Sequence, residues 1–150
     1  MNNLEKKSEL RSKIMQLQEV MLAMPDHMTQ ADFKTEHYFS PGIYMREMTM
    51  PKGSVVIGKI HKTEHMCVVA KGSVSVVTED GTKTYTAPCV VHSMPGAKRA
   101  LHALEETVWI NVHHNPTNEK DLEKIDEIFV VDTFEQFLEF TEKKQIEGEK

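Results

Sequence analysis

Gly58-Lys59-Ile60-His61-Lys62-Thr63-Glu64-His65-Met66-Cys67-Val68-Val69-Ala70-Lys71-Gly72 places two histidines on either side of a short polar connection. An apolar strand ends at His61, Lys62-Thr63-Glu64 turns the chain, and His65 opens a second strand that runs through Val68 and Val69 to Lys71-Gly72. Side chains alternate along each strand and a hairpin returns the second strand beside the first, so His61 and His65 can face the same side. Two imidazoles on one wall are half of a metal site. Neutral ring nitrogens suit zinc, iron, nickel, copper or manganese, with carboxylate or water completing the shell. The competing reading is a pair of exposed hairpin histidines, because short patterns of this kind also arise by chance.

Outward from this hairpin, runs rich in Val, Ile, Thr and Tyr recur between Pro41 and His114 with turn residues between them. Strands are expected near 42–50, 54–60, 65–70, 73–78, 82–86, 89–93, 98–104 and 107–113. Their separators are Pro51-Lys52-Gly53, Lys71-Gly72, Asp80-Gly81, Pro95-Gly96 and Glu105-Glu106. About eight such strands close into a small antiparallel β-barrel or a two-sheet jelly roll. Asp80-Gly81 marks the tightest hairpin, since a primed turn needs residues that tolerate positive φ. Before the barrel, Leu10, Ile14, Leu17, Met21 and Met24 recur at helical spacing in a stretch without Gly or Pro, which predicts an amphipathic helix stopped by Pro25. That helix either lies on its own domain or serves as a short coiled-coil handle. After the barrel, Leu122, Ile125, Ile128 and Phe129 share one helical face, and Thr133 with Gln136 forms a capping box for a last helix from about Phe134. The charged tail 142–150 is expected to fray. The organisation is therefore an N-terminal helix over 1–24, a linker over 25–41, a β-barrel over 42–114 and a C-terminal helical segment over 115–150 packing on the barrel.

With 150 residues, 39% hydrophobic and 27% charged, the chain has material for one packed core and too little for two. Eighteen Lys and Arg against 23 Asp and Glu give a net charge of −5, which argues against a general nucleic-acid binder. No apolar window reaches the roughly 18–20 residues of a membrane span, and the charged N-terminus lacks the apolar core of a signal peptide, so a soluble, cytoplasmic chain is expected. Cys67 and Cys89 lack metal-type spacing and read as apolar fillers. No nucleophile elbow, phosphate-binding glycine loop or carboxylate pair supports a serine hydrolase, a nucleotide kinase or a glycosidase.

These residues resemble the cupin superfamily. Cupins carry a first motif of Gly, five residues, His-x-His, three or four residues, Glu, six residues and Gly, and a second with a Pro-x-Gly element followed by a His. Gly72 matches the closing glycine, His61 the second histidine, and His65 stands at the glutamate position. Lys59 stands where the first histidine belongs. Met94-Pro95-Gly96 is similar to the Pro-x-Gly turn, with Pro95 at its middle position, and places Arg99 where the last histidine belongs. The resemblance implies a small barrel that holds a divalent transition metal such as zinc, iron, nickel or manganese, with two of four ligand positions here filled by cations. The run His61 to Gly72, with Thr78-Glu79-Asp80-Gly81, Ala87-Pro88, Pro95-Gly96-Ala97-Lys98-Arg99 and Leu104-Glu105-Glu106-Thr107-Val108-Trp109, is also similar to cupin-like proteins of tailed bacteriophages.

The donors missing from the motif must come from elsewhere, and the candidates are Glu64, His92, His102 and His113. Strand parity decides among them. Either Arg99 and Leu101 face inward and His102 outward, or Ala100, His102 and Leu104 line the lumen. On the last strand, Val108, Ile110 and Val112 form one face and Trp109, Asn111 and His113 the other. Terminal helices need an apolar surface to cover, which favours Trp109, Asn111 and His113 inside. The expected cluster is then His61, His65, His102 and His113, with Glu64 as a candidate proton carrier. Lys59, Arg99 and Trp109 are candidate ligand-binding residues. Lys98 and Arg99 after the Pro-Gly turn suit a carboxylate or phosphate, and a solvated turn is the alternative. His92 reads as an ordinary strand histidine, His113 and His114 also fit a strand end, and His27 and His37 receive no role.

Two functions fit. One is a metal-binding barrel that binds or transforms a small, anionic or hydroxylated molecule. The other is a non-enzymatic structural or ligand-binding barrel module, phage-associated by the resemblance, which Lys59 and Arg99 favour because a fold outlasts its site. A homodimer formed through the N-terminal helix and strand edges is expected in either case.

Overall fold

In the computed structural model, which describes residues 2–24 and 33–148, the alternating runs form two antiparallel sheets around one interior. The elements in chain order are α1 (Asn3–Leu22), β1 (Lys34–Ser40), β2 (Gly42–Met50), β3 (Val55–Ile57), β4 (Ile60–His61), β5 (His65–Lys71) and β6 (Ser73–Thr78). They continue with β7 (Gly81–Thr86), β8 (Cys89–Ser93), β9 (Ala100–Ala103), β10 (Thr107–Asn115), α2 (Leu122–Phe129), β11 (Val130–Val131) and α3 (Phe134–Gly148). The larger sheet runs β1-β2-β10-β5-β8, the smaller β3-β9-β6-β7, and β4 with β11 makes a separate two-stranded ribbon. The fold is thus mainly β, an antiparallel jelly-roll barrel with an N-terminal helix and C-terminal helices.

Period-two alternation builds the interior. Along β10, Thr107, Trp109, Asn111, His113 and Asn115 are buried, while Val108, Ile110 and Val112 are half-buried on the other face. Met48 and Met50 of β2, Cys67 and Val69 of β5, Val74 and Val76 of β6 and Leu101 of β9 meet Trp109 in the main core. A second cluster, Tyr44 with Ile125 and Phe129, closes one end and ties α2 to β2. At the opposite end Gly72, at φ +86°, lies so close to the Glu106 carbonyl and Thr107 Oγ1 that a β-carbon would collide with both.

Several expectations need correction. The expected strand 54–60 is two strands, because Gly58 and Lys59 leave the ladder and the Gly58 amide donates to the Arg99 carbonyl at 3.0 Å. Strand β1 lies inside the expected linker 25–41; its polar run gave no apolar alternation, and full pairing with β2, from Lys34↔Thr49 to Ser40↔Ile43, forms it instead. The β6–β7 turn sits one residue earlier than Asp80-Gly81, since Thr78 pairs with Gly81. Helix α3 continues to Gly148, past the start of the tail expected to fray. Of the apolar stripe on α1 only Ile14 is fully buried, and Leu17 is exposed. Lys7 to Asp80 at 3.0 Å and Arg11 to Glu79 dock that helix on the β6–β7 hairpin by charge rather than by an apolar seam. Pro25, the expected stop, lies outside the described residues, as does His27. No helix among the described residues is long and apolar enough to cross a membrane.

Candidate metal centre

Three elements deliver three imidazoles to one point. β4 ends on His61, the 62–64 turn reverses the chain, and β5 begins on His65, so the two rings meet with centroids 4.4 Å apart. β10 lies between β2 and β5, with Asn111 opposite Cys67 and Val112 opposite Met66, and this carries His113 to within 4.5 Å of the His65 ring. One ring nitrogen from each of His61, His65 and His113 lies within 4.8 Å of the other two. The ribbon fixes His61: Val130 of β11 pairs with it, its amide donates to the Ala97 carbonyl at 3.1 Å and its carbonyl accepts from the Gly96 amide at 2.8 Å.

The polar accounting at this point is incomplete in a specific way. His61 Nδ1, His65 Nε2 and His113 Nδ1 are buried and have no hydrogen-bond partner. Buried polar atoms are nearly always paired, and each orphan costs about 1–3 kcal/mol. His65 Nδ1 lies 3.1 Å from the Thr63 carbonyl oxygen, which can only accept, so the ring proton sits on Nδ1 and Nε2 presents a bare lone pair. Burial holds all three rings neutral: His65 is pushed down to about 4 and His113 to about 3, while His61 falls well below its ordinary value, with Arg99 adding to burial as the next cause at His61. Neutral imidazoles with free lone pairs are what a borderline transition-metal ion requires.

Beside the rings is a cavity of about 220 Å³ lined by His61 and His113 and, above them, by Tyr44, Arg46, Arg99 and Trp109. Phe129 stacks on His113 at 4.4 Å and Tyr44 stacks on it at 5.9 Å, so aromatic faces pack around the cluster. Trp109 Nε1 donates to Asn111 Oδ1 at 2.9 Å, and the Cys67 thiol lies 3.1 Å from the same oxygen. Arg99 is 7% exposed, donates from Nη1 to Ser93 Oγ at 2.7 Å and lies over Trp109 at 5.4 Å. Lys59 reaches the cavity rim and pairs with Asp126 of α2 at 2.8 Å.

The expected cluster therefore assembles without one member. His102 is exposed: Leu101 of β9 and Arg99 just before that strand line the cavity, with His102 between Val55 and Ser75 of the neighbouring strands and turned outward. Glu64 does not approach the three rings either; its carboxylate pairs with His92 Nε2, both side chains being more than half exposed, so the proposed proton carrier is absent from the centre. Lys98 turns away from the cavity to donate to the Gly58 carbonyl at 3.0 Å, and His114 is exposed. Tyr44, Arg46 and His37, which received no role from the sequence, line the cavity, with His37 Nδ1 2.7 Å from the Tyr44 hydroxyl. For Tyr44 and Arg46 the signal was the alternation Tyr44, Arg46, Met48 and Met50 on one face of an apolar strand, where an arginine has no ordinary reason to be.

Solved structures similar to this one include cupin superfamily proteins. KdgF from a Halomonas species gives a TM-score of 0.52 at 12% identity, over 64% of this chain and 87% of its own. A cupin 2 domain-containing protein from Halorhodospira halophila gives 0.50 at 16% identity, over 64% of this chain and 72% of its own. An HTH_3 family transcriptional regulator from Vibrio cholerae gives 0.50 at 13% identity, over 65% of this chain and 59% of its own. Identities this low speak for the fold alone, a cupin-type barrel. No family model and no curated protein matches the sequence.

Proposed function

We propose that this chain is a metal-binding cupin-fold protein that takes a small molecule into its barrel, with His61, His65 and His113 as the protein ligands of a divalent zinc, iron, nickel or manganese ion. The observation that carries the reading is the convergence of three buried ring nitrogens that lack any hydrogen-bond partner. An ion there supplies Lewis-acid polarisation of a ligand oxygen or activation of bound water. The chain's own residues do the rest. The Thr63 carbonyl fixes the His65 tautomer, Phe129 and Tyr44 pack against His113, and Ile125 and Phe129 of α2 close one end of the cavity. The exposed apolar side chains of α1, Leu17, Val20 and Leu22, support a homodimer.

Elemental analysis of untagged protein after reconstitution tests the ligand set. About one ion per chain is expected for the parent, with loss in His61→Ala, His65→Ala and His113→Ala and retention in His102→Ala. A parent that holds no ion after exposure to all four metals would end this reading. The alternative, a non-enzymatic barrel module related to the phage proteins, draws support from Arg99 at a position where the resemblance implies a histidine. A metal-free parent leaves that alternative standing.

A further inference from the structure

The charges facing the cavity are unbalanced. In a chain of net charge −5, three cations, Lys59, Arg46 and Arg99, line it against one acid, Asp126. Asp126 pairs with Lys59 at 2.8 Å and its charge also acts on Arg46, and Asp132 lies near the Lys59 ammonium at 3.7 Å. Arg99 is the informative group. It is 7% exposed, and among the described residues no carboxylate comes within ion-pair distance of it. Its contacts are neutral groups: a hydroxyl, Ser93 Oγ at 2.7 Å, the Trp109 ring at 5.4 Å and the buried Cys67 thiol. A guanidinium taken out of water is normally matched by an anion, because the desolvation penalty exceeds what a hydroxyl and an aromatic face return. Arg46 joins it from β2, where it pairs with Asn111 between the register pairs of Tyr44 and Met48.

We infer that the cavity binds a small organic acid, its carboxylate held by Arg99 with Arg46 beside it and its remainder directed toward the three histidines. This deepens the reading above and rests on its small-molecule cavity. The planar fork of Arg99 suits the two oxygens of a carboxylate, and Ser93 and Trp109 hold that fork in one orientation before any ligand arrives. A volume of about 220 Å³ lies below the range of drug-sized sites, which limits the ligand to a small acid. The aromatic and apolar walls, Trp109, Leu101, Phe129 and Met48, leave the carboxylate as the ligand's main polar handle.

Trp109 is the chain's single tryptophan, buried and stacked under Arg99, so its emission reports on the site directly. The probes are acetate, pyruvate, malonate, succinate and benzoate, each beside its uncharged amide, with inorganic phosphate as a different oxyanion. At least one acid is expected to give a saturable change, with its amide at least about tenfold weaker. Arg99→Lys, which keeps the charge and loses the fork, is expected to weaken that acid about tenfold, and Arg99→Gln more. The proposal is overturned if no acid saturates, if amide and acid bind alike, if phosphate alone binds, or if Arg99→Lys binds as the parent does. Should both Arg99 variants fail to fold, as judged by melting, Arg46→Gln takes their place, with at least a tenfold loss expected and no loss counting against the proposal. Metal content measured on the same samples separates the two readings. A metal-free chain that binds the acid ends the metal assignment and keeps this one, and a loaded chain indifferent to every acid does the reverse.

Discussion

Two glycines in the same backbone region but in opposite surroundings allow the close approach at the end of β5 to be measured. Gly72 has φ +86° and Gly42 φ +76°; a β-carbon on Gly42 meets nothing within 4 Å, whereas one on Gly72 runs into the Glu106 carbonyl and Thr107 Oγ1. Gly42→Ala carries the left-handed penalty of about 1–2 kcal/mol, partly offset by about 0.4–1 kcal/mol of lost freedom in the unfolded chain. The net is about 1 kcal/mol. Gly72→Ala carries the same terms plus an overlap with backbone that no rotamer change relieves, for a total of about 3–4 kcal/mol. Urea unfolding followed by Trp109 emission gives both numbers, with the two slopes checked for agreement. From Gly72 the histidines lie at the other end of β5 and β10, about 20 Å away along the strands, so metal content per folded chain is expected to be unchanged in Gly72→Ala. Equal costs for the two substitutions, within about 0.5 kcal/mol, would refute the argument that contact, rather than backbone conformation alone, demands glycine at position 72.

Two further outcomes follow from the interior of the barrel. In chelated protein, His65 and His113 stay neutral in the fold down to about 4 and about 3, mainly through burial. The unfolded chain takes up protons below about 6.5 that the fold refuses. Their contribution is therefore complete above pH 6.5 and falls away as pH drops toward 4, by about 2 kcal/mol per ring between pH 7.5 and 5; an unchanged or higher urea midpoint at pH 5 would contradict it. Asn111→Leu removes the acceptor shared by Trp109 Nε1 and the Cys67 thiol, leaving the buried indole N–H without its partner and the thiol without that oxygen. A loss of about 2–4 kcal/mol is expected in thermal or urea melts, and a loss below about 1 kcal/mol would show that the pair is satisfied elsewhere.

The hairpin bearing His61 and His65 was legible because both residues lie within one local turn, where strand geometry leaves few choices. Parity on β10 was legible for a different reason. Val108, Ile110 and Val112 form an apolar face, yet Trp109, Asn111 and His113 point inside, and the terminal helices suggested this order even though they leave that outer face half-buried. β9 offered no such guide, since Ala100, Leu101 and Ala103 are all buried and period two cannot distinguish its faces. Its orientation comes from pairing with β3 and β6, which no local pattern encodes. Tyr44 and Arg46 enter the site through the pairing of Tyr44 with His113 and Arg46 with Asn111, contacts more than sixty positions apart in the chain. Glu64 shows the limit of reasoning from proximity in sequence: one residue from His65, it turns to His92 on the outer surface.

His61 stands apart from its two companions in one respect. His65 and His113 sit in the five-stranded sheet, while His61 belongs to a two-residue ribbon whose other half, β11, joins α2 to α3. Bringing the three rings together therefore fastens the C-terminal segment to the barrel wall, and anything that bridges them works as a clasp. Amide hydrogen exchange across 120–135 should slow when the bridge forms, and that segment would then report at a distance whether the clasp is shut.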